Sequence, residues 1–153
     1  MLHVDPEAPG VTYVTDITSG SGIPDGIFDC IVFTQTLHLI YEFQQAVDTL
    51  YRVLKPGGVL LITVPGVSCI DSGEWGDTWF WSFTPASLRR LMGDRFGAEN
   101  VDMTTYGNVL TATAFLYGLA ERDMQPEDYQ HQDPQFPVIV AARVVKGGDG
   151  LSG

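Results

Sequence analysis

The chain has 153 residues, 44% of them hydrophobic and 18% charged, which is the size and composition of one ordinary globular domain. Its net charge is −11 and its eight basic residues are scattered, which argues against the clustered Lys and Arg that neutralise DNA or RNA phosphates. No apolar run approaches the roughly 20 residues that cross a bilayer. The start, Met1-Leu2-His3-Val4-Asp5, lacks the features of a secretory signal, and a cytoplasmic location is expected.

The first predicted strand is Val11 to Thr15, short, β-branched and aromatic, ending at Asp16. Ser19-Gly20-Ser21-Gly22-Ile23-Pro24-Asp25-Gly26 reads as a loop. Phe28 to Phe33 is a nearly continuous apolar run, expected as a strand buried on both faces of a parallel sheet, with Cys30 in the core. From Glu42 to Leu54 the apolar residues recur at helical spacing, and Lys55-Pro56-Gly57-Gly58 stops the helix. Val59 to Val64 is the next buried strand, closed by Pro65-Gly66.

A loop rich in Gly, Ser, Asp and Trp runs to about Phe83, and Thr84-Pro85 opens a helix as N-cap and first helical residue. Val101 to Tyr106 is expected as a strand ended by Gly107-Asn108, Val109 to Arg122 as a helix, and Val138 to Val145 as a last strand. Residues 1–146 form the expected domain and 147–153 a flexible tail. Alternating buried strands and amphipathic helices predict an α/β, doubly wound, mostly parallel sheet. Ligands bind such sheets beyond the carboxyl ends of the strands. That rule singles out Asp16, the Thr34-Gln35-Thr36-Leu37-His38 segment, and the loop after Pro65-Gly66.

Cys30 and Cys69 make no disulfide framework and no zinc spacing. His3, His131 and the scattered carboxylates lack metal-ligand spacing, so no metal site is expected.

The string FDCIVFTQTLHLIYEFQQAVDTLYRVLKPGGVLLITVPG, Phe28 to Gly66, resembles the class I S-adenosylmethionine-dependent methyltransferases. It is similar to that family's fourth strand with its active-site loop, the following helix, the Leu-Lys-Pro-Gly-Gly turn and the fifth strand. Asp16 at the end of VTYVTD fits the end of the third strand. The aromatic segment Trp75 to Pro85, with Tyr106-Gly107-Asn108, is similar to a bacterial subgroup met beside glycan-building enzymes.

The resemblance implies a Rossmann-like methyltransferase fold with S-adenosylmethionine as cofactor and a small-molecule or glycan-linked acceptor. It implies cofactor contacts at Asp16, Ile17, Thr34, Gln35, Thr36 and Leu37. Asp16 either accepts the adenine amino group, with Ile17 on the ring, or simply ends a strand. His38 either takes the acceptor's proton or packs against the next helix. Trp75, Trp79 and Trp81 either wall the acceptor pocket or tuck onto the helices.

The family opens with a strand, a glycine-rich turn, a helix and a second strand ending in an acid. Here Ser19-Gly20-Ser21-Gly22 is followed by another strand rather than a helix, so the chain is expected to lack that first strand–helix–strand unit. It then reads as a fragment of a longer enzyme, with the Phe28–Phe33 strand left at an open edge. The Val11–Thr15 strand moving in beside it, or a homodimer pairing two such edges, would satisfy that edge. A non-catalytic module kept for assembly with a partner is the alternative to an enzyme.

Overall fold

The computed structural model describes residues 2–3, 7, 10 and 12–148. Val4, Asp5 and Val11, and the tail from Asp149 onward, lie outside the described residues. The main sheet has four strands: β3 (Phe28–Thr34), β4 (Leu54–Pro65), β5 (Val101–Tyr106) and β6 (Ile139–Val145), in spatial order β3-β4-β6-β5. β3 and β4 are parallel, whereas β6 runs antiparallel to both its neighbours. The expected mostly parallel α/β sheet is therefore present, with its last strand reversed. Two short strands, β1 (Leu2–His3) and β2 (Tyr13–Val14), pair separately in parallel. β2 thus pairs with β1 and not with β3, which it meets through the Tyr13 ring, edge-on to Phe28 at 6.2 Å.

Two helices cover one face of the sheet. α1 (Phe43–Val53) buries Ala46, Val47, Leu50 and Val53, the apolar stripe read from the sequence, and packs on β4. α2 (Pro85–Phe96) begins at a capping box in which the Thr84 hydroxyl accepts the Ser87 N–H and the Ser87 hydroxyl accepts the Thr84 N–H. It packs on β5 and β6 and buries Leu88, Met92 and Phe96. Between the layers, Leu60, Ile62 and Val64 of β4 meet Val140, Ala142 and Val144 of β6 in one buried cluster.

The other face differs from expectation. Val32 is 67% exposed, and Cys30 and Leu61 are exposed with it. Alternate residues of a strand point to opposite faces. α1 and α2 cover the face of Ile31 and Phe33, so β3 is half-buried rather than buried throughout, and Cys30 is a surface thiol. Edge charge suits that position: Lys55 Nζ lies 2.8 Å from Asp29 on the outermost strand.

The Lys-Pro-Gly-Gly stretch ends the helix at Val53, but continues directly into β4. Opposite β3 it forms a bulge, with Phe28 paired to Leu54 and Cys30 to Val59. Gly57 takes φ +77°, a conformation glycine adopts without penalty. Lys146 closes this end: its Nζ donates to the Leu54 carbonyl at 2.7 Å and sits over the Tyr51 ring.

α3 (Val109–Leu116) is shorter than expected. Gly118 at φ +73° lies just past its end, where a left-handed residue terminates helices. Glu121–Asp123 and Pro126–Tyr129 form separate short 3-10 turns.

Leu88 is fully buried between the layers, so Leu88→Ala should cost about 2–5 kcal/mol in urea denaturation. Thr84→Ala, which removes the hydroxyl half of the capping box, should cost about 1 kcal/mol in the same experiment.

Candidate functional site

β3 and β4 end side by side, with Thr34 paired to Thr63. The chain then turns sharply. Gln35 adopts φ +48°, the only non-glycine residue with positive φ among those described. Its backbone N–H donates to the Thr63 carbonyl at 2.9 Å and its side-chain Nε2 to the Thr63 hydroxyl at 3.1 Å. A left-handed non-glycine residue costs of order 1–3 kcal/mol and persists where its surroundings impose it; here Thr63 imposes it. Thr36 ties back to the strand end by donating its hydroxyl to the Thr34 carbonyl at 2.8 Å. Leu37–Leu39 follows as a 3-10 turn that buries Leu37 completely.

His38 lies in this turn and is 3% exposed. Its ring meets Trp79 edge-on at 4.5 Å, and its backbone carbonyl accepts the N–H groups of Phe80 and Trp81. Among the described residues its buried Nδ1 has no hydrogen-bond partner. Burial lowers its pKa below the ordinary 6.5, so the ring is neutral at pH 7.

The three tryptophans divide. Trp81 is a strut: its indole N–H donates to the carbonyls of Ile40 and Tyr41, and its ring packs on Phe43 at 5.0 Å. Trp79 is half-buried on His38. Trp75 is exposed, and its backbone N–H donates to the Asp71 carboxylate.

Asp16 and Ile17 are not joined to the Thr34–His38 turn by any hydrogen bond among the described residues. The Asp16 Oδ1 accepts the Thr18 N–H at 2.7 Å and the Thr18 hydroxyl at 2.8 Å, while Ile17 packs against the core. The Ser-Gly-Ser-Gly loop beyond them is bound to α1. Arg52 donates to the carbonyls of Gly20 and Ile23 and pairs with Asp25. A Cβ on Gly20 would collide with the Thr49 side chain, so this glycine serves a close approach to the helix. Asp16 is exposed, and both bonds from Thr18 fall on the same carboxylate oxygen, leaving Oδ2 open among the described residues.

Sequence reasoning passes over Thr63, although it is the polar residue in an otherwise apolar strand, close to its carboxyl end. Asn108 reads from the sequence as a strand stop and as part of the Tyr106-Gly107-Asn108 likeness, not as a cap. In the structure it is buried, caps α3 by accepting the Thr111 N–H at 2.9 Å, and donates to the carbonyls of Asp128 and His131. Among the described residues no three His, Cys, Asp or Glu side chains group as a metal site, and no helix is long and apolar enough to cross a membrane.

Between the lowered pKa of His38 and 6.5, the unfolded chain binds more protons than the folded one, so stability rises with pH across that window. Its contribution is lost as pH falls below the unfolded value. Urea midpoints should therefore fall from pH 7 to pH 5, and His38→Phe, which keeps a ring against Trp79, should flatten that fall.

Residues 3–62 match the model of the methyltransferase domain family. The probable polyketide synthase 10 of Dictyostelium discoideum is 31% identical over 70 residues, 45% of this chain and 3% of that protein. The ubiquinone/menaquinone biosynthesis C-methyltransferase UbiE of Citrobacter koseri is 42% identical over 52 residues, 34% of this chain and 21% of that protein. The chain thus spans a small part of the curated relatives it matches. A crystal structure of a SAM-dependent methyltransferase from Archaeoglobus fulgidus superposes with a TM-score of 0.61 at 13% identity, over 95% of this chain and 74% of the other; at that identity the likeness is one of fold. Residues 3–62 are thus similar to the methyltransferase domain family, and the chain has the fold of S-adenosylmethionine-dependent methyltransferases.

Proposed function

We propose that this chain is the methyl-transferring domain of a longer enzyme that uses S-adenosylmethionine and a small-molecule or glycan-linked acceptor. The observation that carries this reading is the turn after β3: a strained Gln35 locked to Thr63 beside an orphaned, buried imidazole nitrogen. It sits at the carboxyl ends of two parallel strands, where ligands of such sheets bind. Polar backbone held in one conformation, next to buried Leu37, suits the methionine end of the cofactor. The open oxygen of Asp16 suits an amino group such as that of adenine, with Ile17 beside it.

Bound S-adenosylmethionine supplies an electrophilic methyl group on a sulfonium. Transfer of that methyl would be an in-line displacement with the thioether as leaving group, in which alignment of donor and acceptor would contribute most of the acceleration. Thr34, Gln35, Thr36 and Leu37 supply it by being preorganised. Neutral His38 accepts the acceptor's proton where the acceptor carries one. Trp79 holds the imidazole in place, and Trp75 offers an exposed indole to the acceptor.

Titration calorimetry of the chain with S-adenosylmethionine tests this. Micromolar binding is expected, and no heat at millimolar ligand would overturn it for this chain. Asp16→Asn keeps the Oδ1 acceptor that Thr18 uses but removes the charge. It should weaken binding by about tenfold or more, the worth of a hydrogen bond to a charged group.

Among the described residues no strand pairs with the outer edge of β3, which supports a homodimer that pairs two such edges and also serves the assembly reading of a non-catalytic module. Light scattering should then give twice the chain mass, and Val32→Lys on the exposed side of β3 should return it to the monomer mass.

A further inference from the structure

A cavity of about 360 Å³ opens where β5 and β6 meet α3. Tyr106 and Ile139, paired across the two strands, form its floor. Thr111, Ala114 and Phe115 of α3 form one wall, and Met124 and Tyr129 belong to the turns that follow. Its volume falls at the small end of the roughly 300–1,000 Å³ range of ligand pockets.

The cavity is built rather than incidental. Gly107 turns the chain at φ +125°, and a Cβ there would lie 2.7 Å from Val138. The Gly107 N–H donates to the Gln132 side-chain oxygen at 2.6 Å, and the Gln132 Nε2 donates to the Tyr129 carbonyl at 2.7 Å. Buried Asn108 ties the first turn of α3 to the carbonyls of Asp128 and His131. The walls therefore stand without a ligand.

Its chemistry is one-sided. No Asp, Glu, Lys, Arg or His is among the lining residues. Gln132 and Thr111 spend their polar side-chain atoms within the scaffold. What remains is aliphatic and aromatic surface with two tyrosine rings, Tyr106 and Tyr129, half-exposed at 51% and 42%. Such a lining disfavours a phosphate or carboxylate, whose desolvation it would not repay. It favours a planar apolar group that carries at most a hydroxyl.

The cavity also shares an end of the sheet with the Thr34–His38 turn. Thr34 pairs with Thr63 on β4, and Pro65, two residues on, pairs with Ile139. At about 4.8 Å per strand, β6 and β5 lie roughly 10 and 14 Å from β3. A group seated between β6, β5 and α3 is thus too far away to take the methyl itself, but near enough to anchor a molecule that does.

We infer that this cavity binds an apolar ring of one or two fused cycles, the distal part of an extended methyl acceptor whose nucleophile reaches the turn after β3. The acceptor role rests on the methyl-transfer reading; the ligand site does not.

The test is amide-resolved NMR of the full chain titrated with 1-naphthol, a two-ring phenol. Saturable shifts are expected at Gly107, Thr111, Ala114 and Ile139. Leu119→Trp, at the exposed rim, and Ala114→Leu, on the inner wall, should each weaken binding by more than about tenfold by filling the cavity. Because Leu119 is half-exposed, its variant retains the fold even if Ala114→Leu does not. Shifts centred on Cys30, Val32 and Leu61 of the open sheet face, or none at millimolar naphthol, would overturn the site. S-adenosylmethionine binding without naphthol binding leaves the methyl-transfer reading standing and removes this one. Naphthol binding without S-adenosylmethionine binding overturns the acceptor role.

Discussion

Leu60, Ile62 and Val64 point from β4 into the layer occupied by α1 and α2, and all three are essentially buried. β4 holds two different neighbours in register at once, β3 in parallel and β6 antiparallel. A slip of one residue would turn this apolar row to the exposed face, so the burial of β4 determines which residues end together at the carboxyl edge. Thr63 faces Thr34, and Pro65 faces Ile139, because of that register.

The turn after β3 depends on the same alignment. Gln35 reaches Thr63 with both backbone and side chain only if the strands end where they do. The strain at Gln35 and the unsatisfied nitrogen of His38 are costs that packing elsewhere offsets. Two local departures from good folding chemistry, adjacent in one turn, make this turn the candidate site.

Much of this is legible in the sequence. The periodicity of Phe43 to Val53 marks a helix with one buried stripe, and Thr84-Pro85 marks a helix start with its cap. Local chemistry suffices there, because spacing and capping act within a few residues. The apolar run at Phe28 to Phe33 misleads about burial. An apolar run signals that a strand is fit to be covered on both faces, but not that something covers it, and the exposure of Cys30 and Val32 depends on elements distant in sequence. The length of α3 is overestimated for a related reason: Val109 to Leu119 is largely apolar, and the stop at Gly118 is a matter of backbone angle.

The sequence by itself determined the order of strands and helices, the mostly parallel α/β class, and the segment from Phe28 to Gly66 that carries the methyltransferase likeness. These rest on short-range pattern and composition. Only the tertiary structure decided what each candidate side chain touches. Trp81 became a strut and Trp79 a neighbour of His38, while Asp16 was set on a separate loop, Thr63 emerged as the residue that holds the turn after β3, and Asn108 as the one that holds the turn beside the cavity. Those assignments come from contacts between residues tens of positions apart, which strand register and helix packing create and no local pattern encodes.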